Sequence, residues 1–172
     1  MKILIVSDTH GRLDHLEEAM ERVCDFDALI HCGDIEDQEE EIRDMAEGRP
    51  VTIVRGNNDW NSRLPYVQVV EYGGYRILVT HGHRFGAYNT SEMVDRAHRE
   101  GCRVAVYGHT HFPVIDEDCD GVDILNPGSL TFPRQPNRLP SYIVMEITPK
   151  GQALYTINYL GEEKKRRRGW FW

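Results

Sequence analysis

The chain has 172 residues, 40% of them hydrophobic, and a formal net charge of −8. That length buries one well-formed core, so a single domain over residues 1–161 is expected, followed by a basic and aromatic tail at 162–172. An acidic body argues against extended nucleic-acid binding, which needs clustered Lys and Arg to displace counterions from phosphates. No apolar run approaches a membrane span, and the amino terminus reads as a strand entering a polar loop, so a cytoplasmic protein without membrane contact is expected. Cys24, Cys32, Cys102 and Cys119 show no CxxC spacing and are read as free thiols. The tail ends in Gly169-Trp170-Phe171-Trp172, and three aromatics there suggest self-association through a groove on a neighbouring subunit.

In chain order, residues 2–6 read as a buried strand, and Leu13, Leu16, Met20 and Val23 recur near the helical period, placing a helix over 13–24. A strand at 26–31, an acidic helix at 35–47 with Ile42, Met45 and Ala46 inward, and a strand at 51–54 continue a β-α-β-α-β rhythm. That rhythm implies parallel strands with right-handed crossovers, and ligands gather at the carboxyl ends of such strands. Asp8, Asp34 and Asn57 stand at those ends. Residues 66–72 and 75–80 flank Gly73-Gly74, a pair able to take the positive φ angles of a tight hairpin. Thr90 or Ser91 opens a helix that runs to Glu100, with Gly101 as its stop. Strands at 103–107, 112–116 and 122–125 follow, and 141–148 with 152–159 form a hairpin over Pro149-Lys150-Gly151. The expected fold class is α/β: a four-layer α/β/β/α sandwich of two mixed β-sheets flanked by helices.

His109 and His111, two residues apart after a strand, point to one side of an extended backbone and can serve one metal or one each of two. Asp8-Thr9-His10, Gly33-Asp34, Gly56-Asn57-Asn58-Asp59 and His81-Gly82-His83 add oxygen and imidazole donors after other strands. Each has a plainer reading. Asp8 and Asp34 could cap the helices that follow them, and Asn57 could be a turn residue. His31 is read as a core histidine, while Arg84 and Arg134 are candidate phosphate contacts.

Asp8-x-His10, Gly33-Asp34, Gly56-Asn57-x-Asp59, His81-Gly82-His83 and Gly108-His109-x-His111 occur in the order that resembles calcineurin-like metallophosphoesterases. The chain is most similar to their small prokaryotic phosphodiesterase branch, sharing a turn like Asn126-Pro127-Gly128-Ser129 and lacking a large insertion. The resemblance implies the fold of metal-dependent phosphatases and hydrolysis of a small phosphodiester by a metal-bridging hydroxide. It implies further that Asp8, His10 and His111 bind one metal, Asn57, His81 and His109 a second, and that Asp34 bridges both. Mixed carboxylate, amide and imidazole donors independently suit Mn, Fe, Ni or Zn, with Mn favoured here. Two cations roughly 3.5–4 Å apart can lower the pKa of a shared water and clamp charge developing on phosphorus.

Asp34, Asn57, Asn58, Asp59 and His83 are the residues expected to act on substrate. His83 either lines the substrate pocket or orients a neighbouring ligand. One departure matters: many family members carry a histidine after Gly-Asn that acts on the leaving group, and here the position is Asn58, so Asp59 lacks that partner. An amide can donate a hydrogen bond but cannot deliver a proton. The alternative function is a non-catalytic metal-binding scaffold of the same fold, since fold alone does not settle activity.

Overall fold

The computed structural model describes residues 1–161; the expected tail at 162–172 lies outside the described residues. Ten strands and three helices follow in order: β1 (Lys2–Val6), α1 (Asp14–Val23), β2 (Ala28–His31), α2 (Glu39–Met45), β3 (Val51–Ile53), β4 (Val67–Tyr72), β5 (Tyr75–Thr80), α3 (Ser91–Glu100), β6 (Val104–Val106), β7 (Pro113–Cys119), β8 (Val122–Pro127), β9 (Ser141–Ile147) and β10 (Ala153–Tyr159). They make two five-stranded sheets, ordered β10-β9-β1-β2-β3 and β4-β5-β6-β8-β7. β1, β2 and β3 run parallel in the first sheet, and β5, β6 and β8 in the second, with antiparallel strands at the margins. The two mixed sheets and their helices are the α/β architecture expected from the sequence.

The alternation of β1 explains the layers. Ile3 and Ile5 enter the core between the sheets with Ile30, Ile77, Val79, Val106 and Ile143. Leu4 and Val6 point the other way, onto Leu16, Ala19 and Met20 of α1 and Ile42 of α2. α3 covers the far side of the second sheet through Met93, Val94 and Ala97. Because both faces of β1 are buried, a one-residue slip would exchange its two apolar sets between layers of different shape, so the register is fixed. Gly73 and Gly74 take φ of 56° and 83°, which gives the β4-β5 hairpin its two-residue turn.

The helix expected over 35–47 begins four residues later. Glu36 and Asp37 have φ of 53° and 68°, outside the helical region. The backbone N–H groups of Ile35 and Glu36 donate to Asp59 Oδ1, each at 2.8 Å, in place of an intrahelical pattern. α2 therefore starts after Gln38, and α1 after Leu13, neither with a side-chain cap. Asp8 and Asp34 cap nothing. All four cysteines are free thiols, and among the described residues no helix is long and apolar enough to cross a membrane.

Candidate metal centre

Every candidate ligand leaves the carboxyl end of a parallel strand: Asp8 and His10 after β1, Asp34 after β2, Asn57 after β3, His81 after β5, and His109 and His111 after β6. Asp8, His10, Asp34, His109 and His111 take φ between 47° and 68°. Left-handed backbone at non-glycine residues is unfavourable by about 1 kcal/mol or more each, and it persists only where surrounding contacts enforce it. Those contacts are present. Asp8 N–H donates to the Gly33 carbonyl at 3.1 Å, His10 N–H to that of Asp34 at 2.9 Å, and Gly108 N–H to that of His81 at 3.2 Å. A Cβ at Gly56 would collide with Asp34, and one at Gly108 with Ser7, so both loops close only on glycine.

The side chains converge as two clusters. In the first, Asp8 Oδ1 lies 3.0 Å from His111 Nε2 and 3.8 Å from His10 Nε2, and the two histidine nitrogens are 3.4 Å apart. In the second, Asn57 Oδ1 lies 3.0 Å from His81 Nε2 and 2.8 Å from His109 Nδ1. Asp34 Oδ2 belongs to both, at 3.8 Å from His10 Nε2 and 3.5 Å from His81 Nε2. The Asp8-His10-His111 and Asp8-Asp34-His81 donor sets each fall within 4.8 Å.

The tautomers are set from behind. Nδ1 of His81 donates to the Cys32 carbonyl at 2.7 Å, Nδ1 of His111 to that of Phe132 at 2.8 Å, and Nδ1 of His10 to Glu36 Oε1 at 2.9 Å. A neutral imidazole carries one N–H, so each Nε2 is left as a lone pair aimed at the centre. Asp8 Oδ2 accepts the His109 N–H at 3.2 Å, whereas Oδ1 is buried without a hydrogen-bond partner. Burial would push the Asp8 carboxyl up, but without a cation His111 and His81, when protonated, outweigh it and hold the group ionised, at about 2. A buried carboxylate oxygen facing imidazole lone pairs is a donor set that fits a divalent cation.

The other expected residues divide. Asn58 faces the centre: its backbone N–H donates to Asp34 Oδ1 at 2.8 Å and its side-chain amide to Oδ2 at 2.7 Å. Asp59 does not face it. Asp59 Oδ2 accepts N–H from Asp34 and Gly56, and Oδ1 accepts from Ile35 and Glu36, so the carboxylate ties the β2 and β3 loops together. His83 sits at the edge, its ring 5.3 Å from that of His81 and 6.1 Å from that of His109. Burial lowers its pKa to about 4. His31 is the core histidine expected, its Nε2 donating to Thr9 Oγ1 at 3.1 Å while Nδ1 accepts the Gly33 N–H at 3.2 Å.

The sequence did not reveal Glu36 as the partner of His10, nor Ser129 and Asn126 as braces. Ser129 Oγ donates to the Asp8 carbonyl at 2.9 Å, and Asn126 Nδ2 to that of Gly108 at 2.9 Å. The Asn-Pro-Gly-Ser turn was the one available signal for the latter two. A cavity of about 260 Å³ opens over the centre, lined by candidate ligands, by Asn58 and by the exposed Phe132 and Arg134. Arg84 instead stacks on Tyr66, 4.1 Å above the ring centroid.

A family model, described as the calcineurin-like phosphoesterase superfamily domain, matches residues 1–150. A probable metallophosphoesterase of Bacillus subtilis, YsnB, is 33% identical over 165 residues, covering 95% of this chain and 94% of its own. Phosphodiesterase YfcE of Escherichia coli is 29% identical over 163 residues, with 80% of this chain and 83% of its own covered. A phosphoesterase-like protein of Streptococcus pneumoniae superposes with a TM-score of 0.73 at 29% identity, over 91% of this chain and 97% of that one. Vps29 of Entamoeba histolytica, solved with Zn²⁺, superposes with a TM-score of 0.70 at 22% identity, over 92% of this chain and 99% of that one, a likeness of fold alone. On the extent of the family match and the identity to YsnB, the chain belongs to the calcineurin-like phosphoesterase superfamily.

Proposed function

We propose that this protein hydrolyses phosphodiesters with two divalent cations per chain, Mn²⁺ first among Mn²⁺, Ni²⁺, Fe²⁺ and Zn²⁺. The observation that carries the reading is Asp34 Oδ2, placed 3.8 Å from His10 Nε2 and 3.5 Å from His81 Nε2, between two donor clusters. Asp8, His10 and His111 would hold one cation, Asn57, His81 and His109 the other, and Asp34 both. Such a pair, when bound, supplies Lewis acidity and lowers the pKa of a shared water.

The protein's own part is positioning. Three backbone or side-chain acceptors fix the imidazole tautomers, and Asn58 holds both oxygens of Asp34 in place. Arg134 stands beside the cavity as a cation for a phosphoryl oxygen. Asn58 has hydrogens to donate but none to release, and His83, lowered to about 4, is neutral near pH 7. The leaving oxygen therefore departs with little proton help from this chain.

A non-catalytic scaffold with this fold would be free to lose ligands, and here all seven positions keep donor-type residues, in two clusters flanking Asp34. Hydrolysis of bis(4-nitrophenyl) phosphate by the purified protein, tested metal by metal, checks the reading. Turnover with Mn²⁺ that is lost in Asp34→Ala and His109→Ala supports it. No turnover with any of the four metals favours the scaffold.

A further inference from the structure

Next to the metal-centre cavity lies a second one of about 340 Å³, lined by Glu36, Asp37, Asn58, Trp60 and Asn61. Asn58 lines both, so the two are joined at one residue. Trp60 is 78% exposed, an unusual position for so large an apolar ring. Its loop is nonetheless braced: Trp60 N–H donates to the Asn58 carbonyl at 3.1 Å, Ser62 N–H to that of Asp59 at 3.3 Å, and Arg55 Nη2 to that of Trp60 at 2.8 Å. Asp59, buried and holding four backbone N–H groups, anchors the start of the loop. An aromatic face on a fixed backbone is a stacking platform that loses little entropy when covered.

The two cavities differ in charge. Arg134 offsets the carboxylate of Asp34 in the first, whereas Glu36 and Asp37 line the second with no cation beside them, and Asn58 and Asn61 add amide donors and acceptors. A phosphoryl group is repelled from the carboxylates and drawn to the arginine side. A flat, uncharged ring with an exocyclic amine suits the Trp60 side, where it can stack on the indole and donate to a carboxylate.

We propose that the Trp60 cavity is a subsite for an amine-bearing heteroaromatic base, so that the diester this protein cleaves carries a nucleoside of the adenine or cytosine kind on one phosphate oxygen. The inference rests on the diesterase reading above for its reaction, but the subsite itself can be tested without turnover.

Three chromogenic diesters share 4-nitrophenol as leaving group and differ in the other ester: adenosine 5′-(4-nitrophenyl) phosphate, uridine 5′-(4-nitrophenyl) phosphate and methyl 4-nitrophenyl phosphate. With Mn²⁺, kcat/KM is expected to be about tenfold higher for the adenosine ester than for the methyl ester, mostly through KM, with the uridine ester between them. In Trp60→Ala the adenosine-to-methyl ratio should fall towards one, and in Trp60→Phe it should largely persist. Equal kcat/KM for the three esters overturns the subsite and leaves the hydrolase standing. If none is hydrolysed the hydrolase reading fails, and binding decides the subsite. Millimolar adenosine added to the metal-free protein should shift the Trp60 indole N–H resonance and uridine should shift it less; no shift with either overturns the proposal.

Discussion

Asn58 donates two hydrogen bonds to Asp34, from its backbone N–H to Oδ1 at 2.8 Å and from its side-chain amide to Oδ2 at 2.7 Å. The side chain beside the carboxylate expected to bridge the metals is thus an amide, which orients but does not protonate. The rate should depend steeply on how stable the departing oxygen is as an anion. Diesters with nitrophenol leaving groups should be cleaved at least about a hundredfold faster than those with alkyl leaving groups, the size of effect that general-acid help usually supplies. Similar kcat/KM for an aryl and an alkyl diester would contradict this.

Asp59 bears on the same question. A carboxylate accepts about four hydrogen bonds, and Asp59 already accepts four from backbone N–H groups. A histidine at position 58 would find no free lone pair there, so Asn58→His should improve alkyl esters little. Asp59→Asn should instead destabilise the fold by about 3 kcal/mol, because the amide nitrogen would face N–H donors in a buried site. Urea denaturation of the metal-free protein measures the loss, and an unchanged midpoint would show that the anchor is dispensable.

Glu36 fixes the tautomer and ring orientation of His10 through its contact at 2.9 Å with Nδ1. Such partners of metal-ligating histidines typically contribute about 10–100-fold in affinity. Glu36→Gln, which keeps the shape and reduces the basicity, should weaken the cation held by His10 within that range. Calorimetric titration with Mn²⁺ reads it, and identical isotherms for both proteins would refute the role.

His31 gives the fold a built-in acid sensitivity. Burial holds its pKa at about 4, below the ordinary 6.5, so the folded protein keeps the ring neutral while the unfolded chain takes up a proton. Stability from this residue is complete above pH 6.5 and falls as pH drops towards 4, by on the order of 3 kcal/mol in total. The metal-free protein should therefore lose more stability between pH 7 and pH 5 than His31→Gln does. A His31 ring that titrates near 6.5 by NMR would contradict the assignment.

Much of this arrangement was readable from the chain, and the unreadable part has a common cause. The strands follow from short-range alternation and apolar runs, and the placement of the candidate ligands follows from the strand ends, because both are encoded by neighbouring residues. α2 starts later than its local pattern indicates because the backbone N–H groups of Ile35 and Glu36 are captured by Asp59, which is 24 and 23 residues distant in sequence. Glu36 carries the same residue-type signal as the acids that follow it, and the carbonyls of Cys32 and Phe132 carry none. Asp8 and Asp34 have the residue type of helix caps, but the helices that follow them start after Leu13 and Gln38. Local pattern specifies elements; the partners that tune the centre come from other loops.

The central claim is a pair of cations sharing Asp34, and stoichiometry tests it most directly. Protein stripped with a chelator and dialysed to equilibrium against saturating Mn²⁺ should hold two ions per chain, and Asp34→Ala should hold fewer while staying folded. One ion or none bound to the intact wild-type protein would contradict the account.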